Sequence, residues 1–268
     1  MFACWATTVV EGANEILSER KIRGVLLDSA DVLVRPVEGA AAPAPEAWRR
    51  WFPGPRFQEL VRAYLPGLSL ANLDRAIEVG MEYLDDRHQQ PIVTVEQERE
   101  LFQVFYEIVL ESLGARDPRP ELTSALARAR VDGRAMEPFP DVPGALARLQ
   151  ALGLRLGVLA EGWPSLSLHY ERMDLRRFFD AFVISAEEAR PKDDPLLFAV
   201  ARERMRLPAE EILFVDDWPP HVQTAVKLGF QGAVMVREPP PPSTRLPLLP
   251  DVLAVETMVA APVDRATR

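Results

Sequence analysis

Val25-Leu26-Leu27-Asp28-Ser29-Ala30-Asp31, near the start of the chain, and Ile212-Leu213-Phe214-Val215-Asp216-Asp217, far downstream, follow one pattern: a short unbroken apolar run closed by aspartate. Runs this short, apolar at every position rather than at alternate ones, read as strands of a parallel sheet covered on both faces. In an open α/β sheet the carboxyl ends of neighbouring strands form the ligand crevice, so Asp28, Asp216 and Asp217 are expected to meet there. Acidic oxygens converging on one point make a site for a hard divalent cation such as Mg2+. A cation held at strand ends points to chemistry at a phosphate.

Outward from the first run, Leu33-Val34-Arg35-Pro36 leads into Ala- and Pro-rich sequence up to Glu46, which reads as a linker. Helical spacing follows in Phe57, Leu60, Val61 and Tyr64, again in Leu73, Ile77 and Met81, and in a long stripe from Val93 to Leu113 through Leu101, Val104, Phe105 and Ile108. These predict a helical bundle inserted after the first strand. From Pro138 the pattern alternates: helix at Val142 to Leu152, strand at Leu154 to Leu159, helix at Ser165 to Met173, strand at Ala181 to Ser185 and helix at Pro195 to Met205. The strand at 212 to 215, a helix from His221 to Leu228 and a last strand at Gly232 to Val236 complete it. Such alternation implies an α/β fold, a Rossmann-like parallel sheet with right-handed crossovers. The expected division is an α/β core at 20–36 and 137–240, an α-helical cap at 37–136, an N-terminal extension at 1–19 and, after Pro239 to Pro242, an extended tail at 241–268.

At 268 residues and 48% hydrophobic content the chain can bury one large core with a smaller inserted domain. Its formal charge of -9 argues against a nucleic-acid surface, which needs a concentrated basic face, and leaves a small molecule as the expected partner. Cys4, the single cysteine, permits no internal disulfide, which fits a reducing cytoplasm. The apolar opening Met1 to Ala6 lacks a basic leader and Glu11 cuts the run, so no export signal is expected. No stretch approaches the roughly 20 apolar residues of a membrane helix. Lys21, Lys192 and Lys227 are the only lysines among 31 basic residues, which makes a lysine near a strand end informative. A homodimer is left open, since apolar cap faces serve either a core or an interface.

Four short motifs in chain order resemble the haloacid dehalogenase-like hydrolase superfamily, in its branch with a helical cap after the first strand, over roughly residues 22 to 238. The first reads Asp28-Ser29-Ala30-Asp31-Val32-Leu33: Asp28 matches the family's aspartate nucleophile, while Ala30 stands where an acid/base aspartate belongs and Asp31 where the family has glycine. The second, Leu156-Gly157-Val158-Leu159-Ala160-Glu161-Gly162, puts Ala160 in place of a phosphate-binding hydroxyl. The third, Arg190-Pro191-Lys192-Asp193-Asp194-Pro195, retains the lysine, and the fourth retains Asp216-Asp217. The resemblance implies an aspartyl-phosphate mechanism, with Lys192 neutralising charge at the phosphate. It further implies a Mg2+ held by Asp28, Asp216, Asp217 and the backbone carbonyl of Ala30. Deleting a general acid/base costs typically about 10²- to 10⁴-fold, and losing one charge-stabilising donor roughly 10²- to 10³-fold.

Two carboxylates are candidates to compensate: Asp31, if a one-residue bulge aims it at the leaving group, and Glu161, whose plainer reading as a solvated loop carboxylate is preferred. Trp163 and Trp218 each follow a motif and either line the entrance or pack against the cap. In the cap, Trp48, Arg49, Arg50, Trp51 and Arg56 precede or begin the first helix, and an arginine there such as Arg49 is a candidate to hold a substrate anion. His221, at a helix start, reads as a capping or packing residue outside the site, and His88 is assigned nothing. Three functions compete: a Mg2+-dependent phosphatase, a carbon-halogen hydrolase whose halide leaves without a proton, and a degenerate binding protein. Phosphonoacetaldehyde cleavage is removed because the cap has no lysine to form a Schiff base.

Overall fold

Strand β1, Gly24–Leu27, is buried along its whole length and lies at the middle of a six-stranded sheet. The computed structural model describes residues 22–37, 51–87, 90–132, 135–238 and 243–260. The other strands of the sheet are β4 (Arg155–Ala160), β5 (Ala181–Ile184), β6 (Ile212–Asp216), β7 (Gln231–Met235) and β8 (Leu248–Leu249), in the order β5-β4-β1-β6-β7-β8 and parallel throughout. Leu27 faces Val158 of β4 on one side and Val215 of β6 on the other. β6 runs one residue and β4 two residues past that level, so the carboxyl ends of all three strands share one edge.

The pleat sorts the apolar residues between two layers. Val25 and Leu27, Leu213 and Val215, and Leu156 and Val158 face a core completed by Val142, Leu146 and Leu149 of α5 (Val142–Ala151) and Val255 of α10 (Leu253–Ala260). Leu26, Phe214 and Leu159 point the other way, onto α8 (Pro195–Met205) and α9 (Pro219–Lys227). Period-2 alternation thus holds even where every residue is apolar. A Cβ on Gly157 would lie 2.7 Å from Met205 Sδ, and one on Gly24 2.6 Å from Leu207, so these glycines let the end of α8 lie directly on the sheet.

Between β1 and β4 the chain builds a second body. Helices α1 (Phe57–Tyr64), α2 (Leu73–Arg87), α3 (Val95–Ser112) and α4 (Pro120–Val131) share their own apolar cluster around Phe102, Phe105, Val109, Leu122 and Leu126. Thr94 opens α3 with a reciprocal capping box to Gln97. At either end of this body in the chain, β2 (Val34–Pro36) and β3 (Met136–Pro138) pair antiparallel. Among the described residues the remaining α-helices are α6 (Ser165–Arg172) and the single turn α7 (Ser185–Glu188).

Two features depart from the sequence reading. Helix α4 falls where the sequence reading assigns no element; Pro120 begins it, where its missing N–H costs nothing. The segment after Pro242 is not extended: β8 adds the sixth strand and α10 packs on the sheet. Val252 N–H donates to Asp141 Oδ2 at 2.9 Å, and Arg237 joins Asp141 at 2.8 Å while also donating to the carbonyl of Val32. The Ala- and Pro-rich linker, Cys4 and the N-terminal extension lie outside the described residues, apart from the short stretch up to Val37. No described helix is long and apolar enough to cross a membrane.

Candidate active site

Asp28 follows β1 directly, and its backbone N–H continues the ladder to the carbonyl of Val215 at 2.8 Å. Asp216 closes β6. By the parity of the pleat, Asp28 continues the face of Leu26 and Asp216 that of Phe214, toward α8. Lys192 arrives from that side, on the loop between α7 and α8, which Asp194 fixes by capping α8 at Leu196 N (2.9 Å) and pairing with Arg190 (2.6 Å). The ammonium of Lys192, 2% exposed, donates to Asp28 and, at 2.9 Å, to Asp216 Oδ2. Asp217, of opposite parity, turns to the cavity, yet one oxygen each from Asp28, Asp216 and Asp217 lie within 4.8 Å of one another.

Three carboxylates and one ammonium in so small a volume are not in electrostatic balance. Burial pushes Asp28 up to about 6 despite the attraction of Lys192, with the Asp216 charge adding to the rise. Burial also raises Asp217, to about 8, with repulsion from Asp28, Asp216 and Asp31 behind it. For Lys192 burial works against the charge, but Asp216 and Asp28 overcome it and hold the pKa above the ordinary lysine value. Asp216 is also opposed by burial, but Lys192 and His221 keep it below the usual range. The surplus is negative and oxygen-only, the donor set that a hard divalent cation fits.

Above these groups lies a cavity of about 380 Å³ between sheet edge and cap, reached by Ser29, Ala30, Asp31, Glu161 and Asp217 from below and by Trp51, Phe52, Met81 and Leu84 from the cap. Asp31 is buried and has a φ of 57°. That is the left-handed conformation glycine takes freely, and aspartate tolerates it better than most residues. Its N–H bonds the Val34 carbonyl at 2.8 Å, and its charge reaches Asp217. Glu161 is exposed at the cavity rim, and Trp163 both lines the cavity and meets Phe102 edge-on at 5.7 Å. Trp218 is 57% exposed and Arg56 pairs with Glu59, so neither serves the cavity. Arg49, Trp48, Arg50 and His88 fall outside the described residues. Ala160 ends β4 fully buried beside Ile184.

Several neighbours escape a reading by motif. His221 is more than a capping or packing residue: its Nδ1 lies 3.3 Å from Asp216 Oδ2, behind the Lys192 contact. Ser29 Oγ and Tyr170 Oη share a buried 2.8 Å hydrogen bond. Glu98 crosses from α3 to the N-terminus of α6, accepting from Ser165 N at 2.7 Å and Ser165 Oγ at 2.6 Å. Arg130 holds its guanidinium 4.3 Å from both the Phe52 and Phe102 rings and donates to the Trp51 carbonyl at 3.0 Å. The only sequence signal for any of these is the position of His221 shortly after Asp216-Asp217.

Comparison with known proteins agrees with this fold. A match to haloacid dehalogenase-like hydrolases spans residues 22–229, and the chain belongs to that family. It is 32% identical over 119 residues to a glyceraldehyde 3-phosphate phosphatase of Methanopyrus kandleri, covering 42% of this chain and 49% of the relative. The chain thus spans about half the length of the curated relatives it matches first. In structure it resembles a 2-haloacid dehalogenase from Pseudomonas syringae (TM-score 0.63, 20% identity, covering 89% of this chain and 98% of that one). It also resembles the magnesium-bound HAD-hydrolase YfnB of Bacillus subtilis (TM-score 0.62, 13% identity, 90% and 100%). Phosphatases and dehalogenases are both among its relatives.

Proposed function

We propose that this chain is a Mg2+-dependent phosphatase of a small phosphorylated metabolite, working in the cytoplasm through an aspartyl-phosphate on Asp28. The observation that carries this reading is the clustering of Asp28, Asp216 and Asp217 oxygens within 4.8 Å around one ammonium. Asp28, Asp217 and the backbone carbonyl of Ala30 would hold the Mg2+, with Asp216 beside them. When bound, the ion supplies positive charge that lowers the repulsion between two anionic reactants. Asp28 attacks phosphorus, forming an O–P bond as the bond to the leaving oxygen breaks; water then cleaves the acyl phosphate and restores the carboxylate. Lys192 neutralises charge at Asp28 and the phosphate, Asp216 aims Lys192, and His221 steadies Asp216. Asp31, carried into the cavity wall by its left-handed backbone, stands one residue beyond the acid missing at Ala30 and is at most a partial substitute for it, so proton delivery to the leaving group is weak.

A second reading, carbon-halogen hydrolysis, is favoured by Ala30, since a halide needs no proton. A third, a binding protein with a relict crevice, is favoured by Ala160. Phosphate esters and 2-haloacids assayed with and without Mg2+, beside Asp28→Asn, separate the three. Mg2+-dependent phosphate release that Asp28→Asn abolishes is the expected result. Halide release without metal installs the second reading, and silence from a folded protein the third.

A further inference from the structure

We propose that the leaving group of this phosphatase is an uncharged, ring-bearing alcohol of low basicity, so that the substrate is an aryl phosphate monoester. The inference rests on the phosphatase reading and names the substrate class for the same site. Two independent observations lead to it.

The first is the cavity. It is continuous with the acidic cluster through Ala30, Asp31 and Asp217, and its volume of about 380 Å³ lies within the about 300–1,000 Å³ typical of pockets that enclose an organic ligand. Trp51, Phe52, Met81, Leu84, Trp163 and Leu166 give it an apolar wall with three aromatic rings, more than a two- or three-carbon hydrophilic group can cover. Its polar groups are spoken for or badly signed. Glu98 is bonded twice to Ser165, and Asp85 and Glu161 stand exposed at the rim. Acidic side chains on the wall outnumber Arg130, the arginine there among the described residues, and burial depresses His169 to about 4, so it is neutral. A second carboxylate or phosphate on the substrate would meet more repulsion than attraction.

The second observation is chemical. Ala30 places a methyl group where the family pattern has an acid, so proton delivery to the leaving oxygen is weakened. A phenol titrates near about 10, as tyrosine does, whereas an alkyl alcohol behaves more like water, near about 15.7. A phenolate therefore departs with the electron pair of the broken P–O bond and takes its proton from water afterwards. The same ring that fills the cavity is the group that makes the missing acid tolerable.

Four esters separate the two components: 2-naphthyl phosphate (activated and apolar), acetyl phosphate (activated and small), cyclohexylmethyl phosphate (apolar, unactivated) and glycerol 1-phosphate (neither). Naphthyl phosphate is expected to lead in kcat/KM, at least about 100-fold above glycerol phosphate and about tenfold above acetyl phosphate. Trp163→Ala, checked for an intact melt, and Met81→Glu should each cut the naphthyl-to-acetyl ratio at least about fivefold, with Trp163→Phe recovering part of it. Glycerol phosphate turned over within threefold of naphthyl phosphate would overturn the proposal while leaving the phosphatase reading standing. A ratio unmoved by both wall substitutions overturns the seating of the ring. Absence of Asp28-dependent phosphate release from all four sinks both readings together.

Discussion

Two strands flank β1 in the same register, and they end in opposite chemistry. On one side β6 delivers Asp216 and Asp217 into a crowded, charged cluster with Lys192; on the other β4 delivers Ala160, a buried methyl, beside Ile184. The sheet treats both sides alike: Leu27 is level with Val215 and with Val158. Backbone geometry thus sets where a functional group can stand, and one side chain decides whether anything stands there. The charged side is kept at a cost, with two carboxylates raised and a lysine buried, which a scaffold without ligands would have no reason to bear.

The comparison breaks most severely at Lys192. Lys192→Met leaves Asp28 and Asp216 without their shared cation in a buried site, so the metal-free protein should lose about 3–5 kcal/mol of stability, read from its urea midpoint, together with turnover. A stability change below about 0.5 kcal/mol, the scatter of surface substitutions, would mean the cluster is not formed. The silent side can be given a voice: Ala160→Ser restores the hydroxyl and should raise kcat/KM on phosphate esters about 10- to 100-fold, by recovering part of a charge-stabilising donor. No gain would place the phosphate elsewhere.

A smaller effect lies in Asp217. Its folded pKa, about 8, exceeds the ordinary carboxyl value of 3.8, so the folded state holds a proton the unfolded chain has released. Without divalent ions, stability should therefore fall as pH rises from about 4 to 8, and Asp217→Asn should flatten that slope by about 1–3 kcal/mol. On the proposed function a bound Mg2+ would displace that proton, so its stabilising effect should grow over the same range; thermal melts at pH 5 and pH 8.5, with and without the ion, test both signs. The smallest change concerns His169. Its folded pKa, about 4, lies below the usual 6.5, so between these values the unfolded chain takes up a proton that the native state refuses. Stability should drop as pH falls through that window, and His169→Gln should remove about 1–2 kcal/mol of the drop; identical acid limbs for the two proteins would refute it.

How much of this was legible in the chain follows the range of the interactions. Apolar runs closed by aspartate identify β1 and β6 because a strand covered on both faces needs every residue apolar, and parallel topology then brings their ends together. Lys192 stood out because lysine is scarce here. The inward place of Asp31 depends on a φ of 57°, which its sequence neighbours leave open. Glu98, Arg130 and Ser165 were illegible because they meet only when cap and core pack, and no spacing encodes that. The final strand and helix were hidden by the prolines before them, since a proline run announces a break and says nothing of what resumes.

The bonds at Asp141 carry that last segment back to the loop after β1. Val252 and Arg237 share its carboxylate, and Arg237 also grips the carbonyl of Val32, one residue beyond Asp31. The end of the described chain is therefore a buttress for the loop that carries Asp28. Trimming back to the prolines would leave Arg237 in place but take Val252 from the carboxylate that orients it, so the Asp28 loop should loosen while the central strands stay paired.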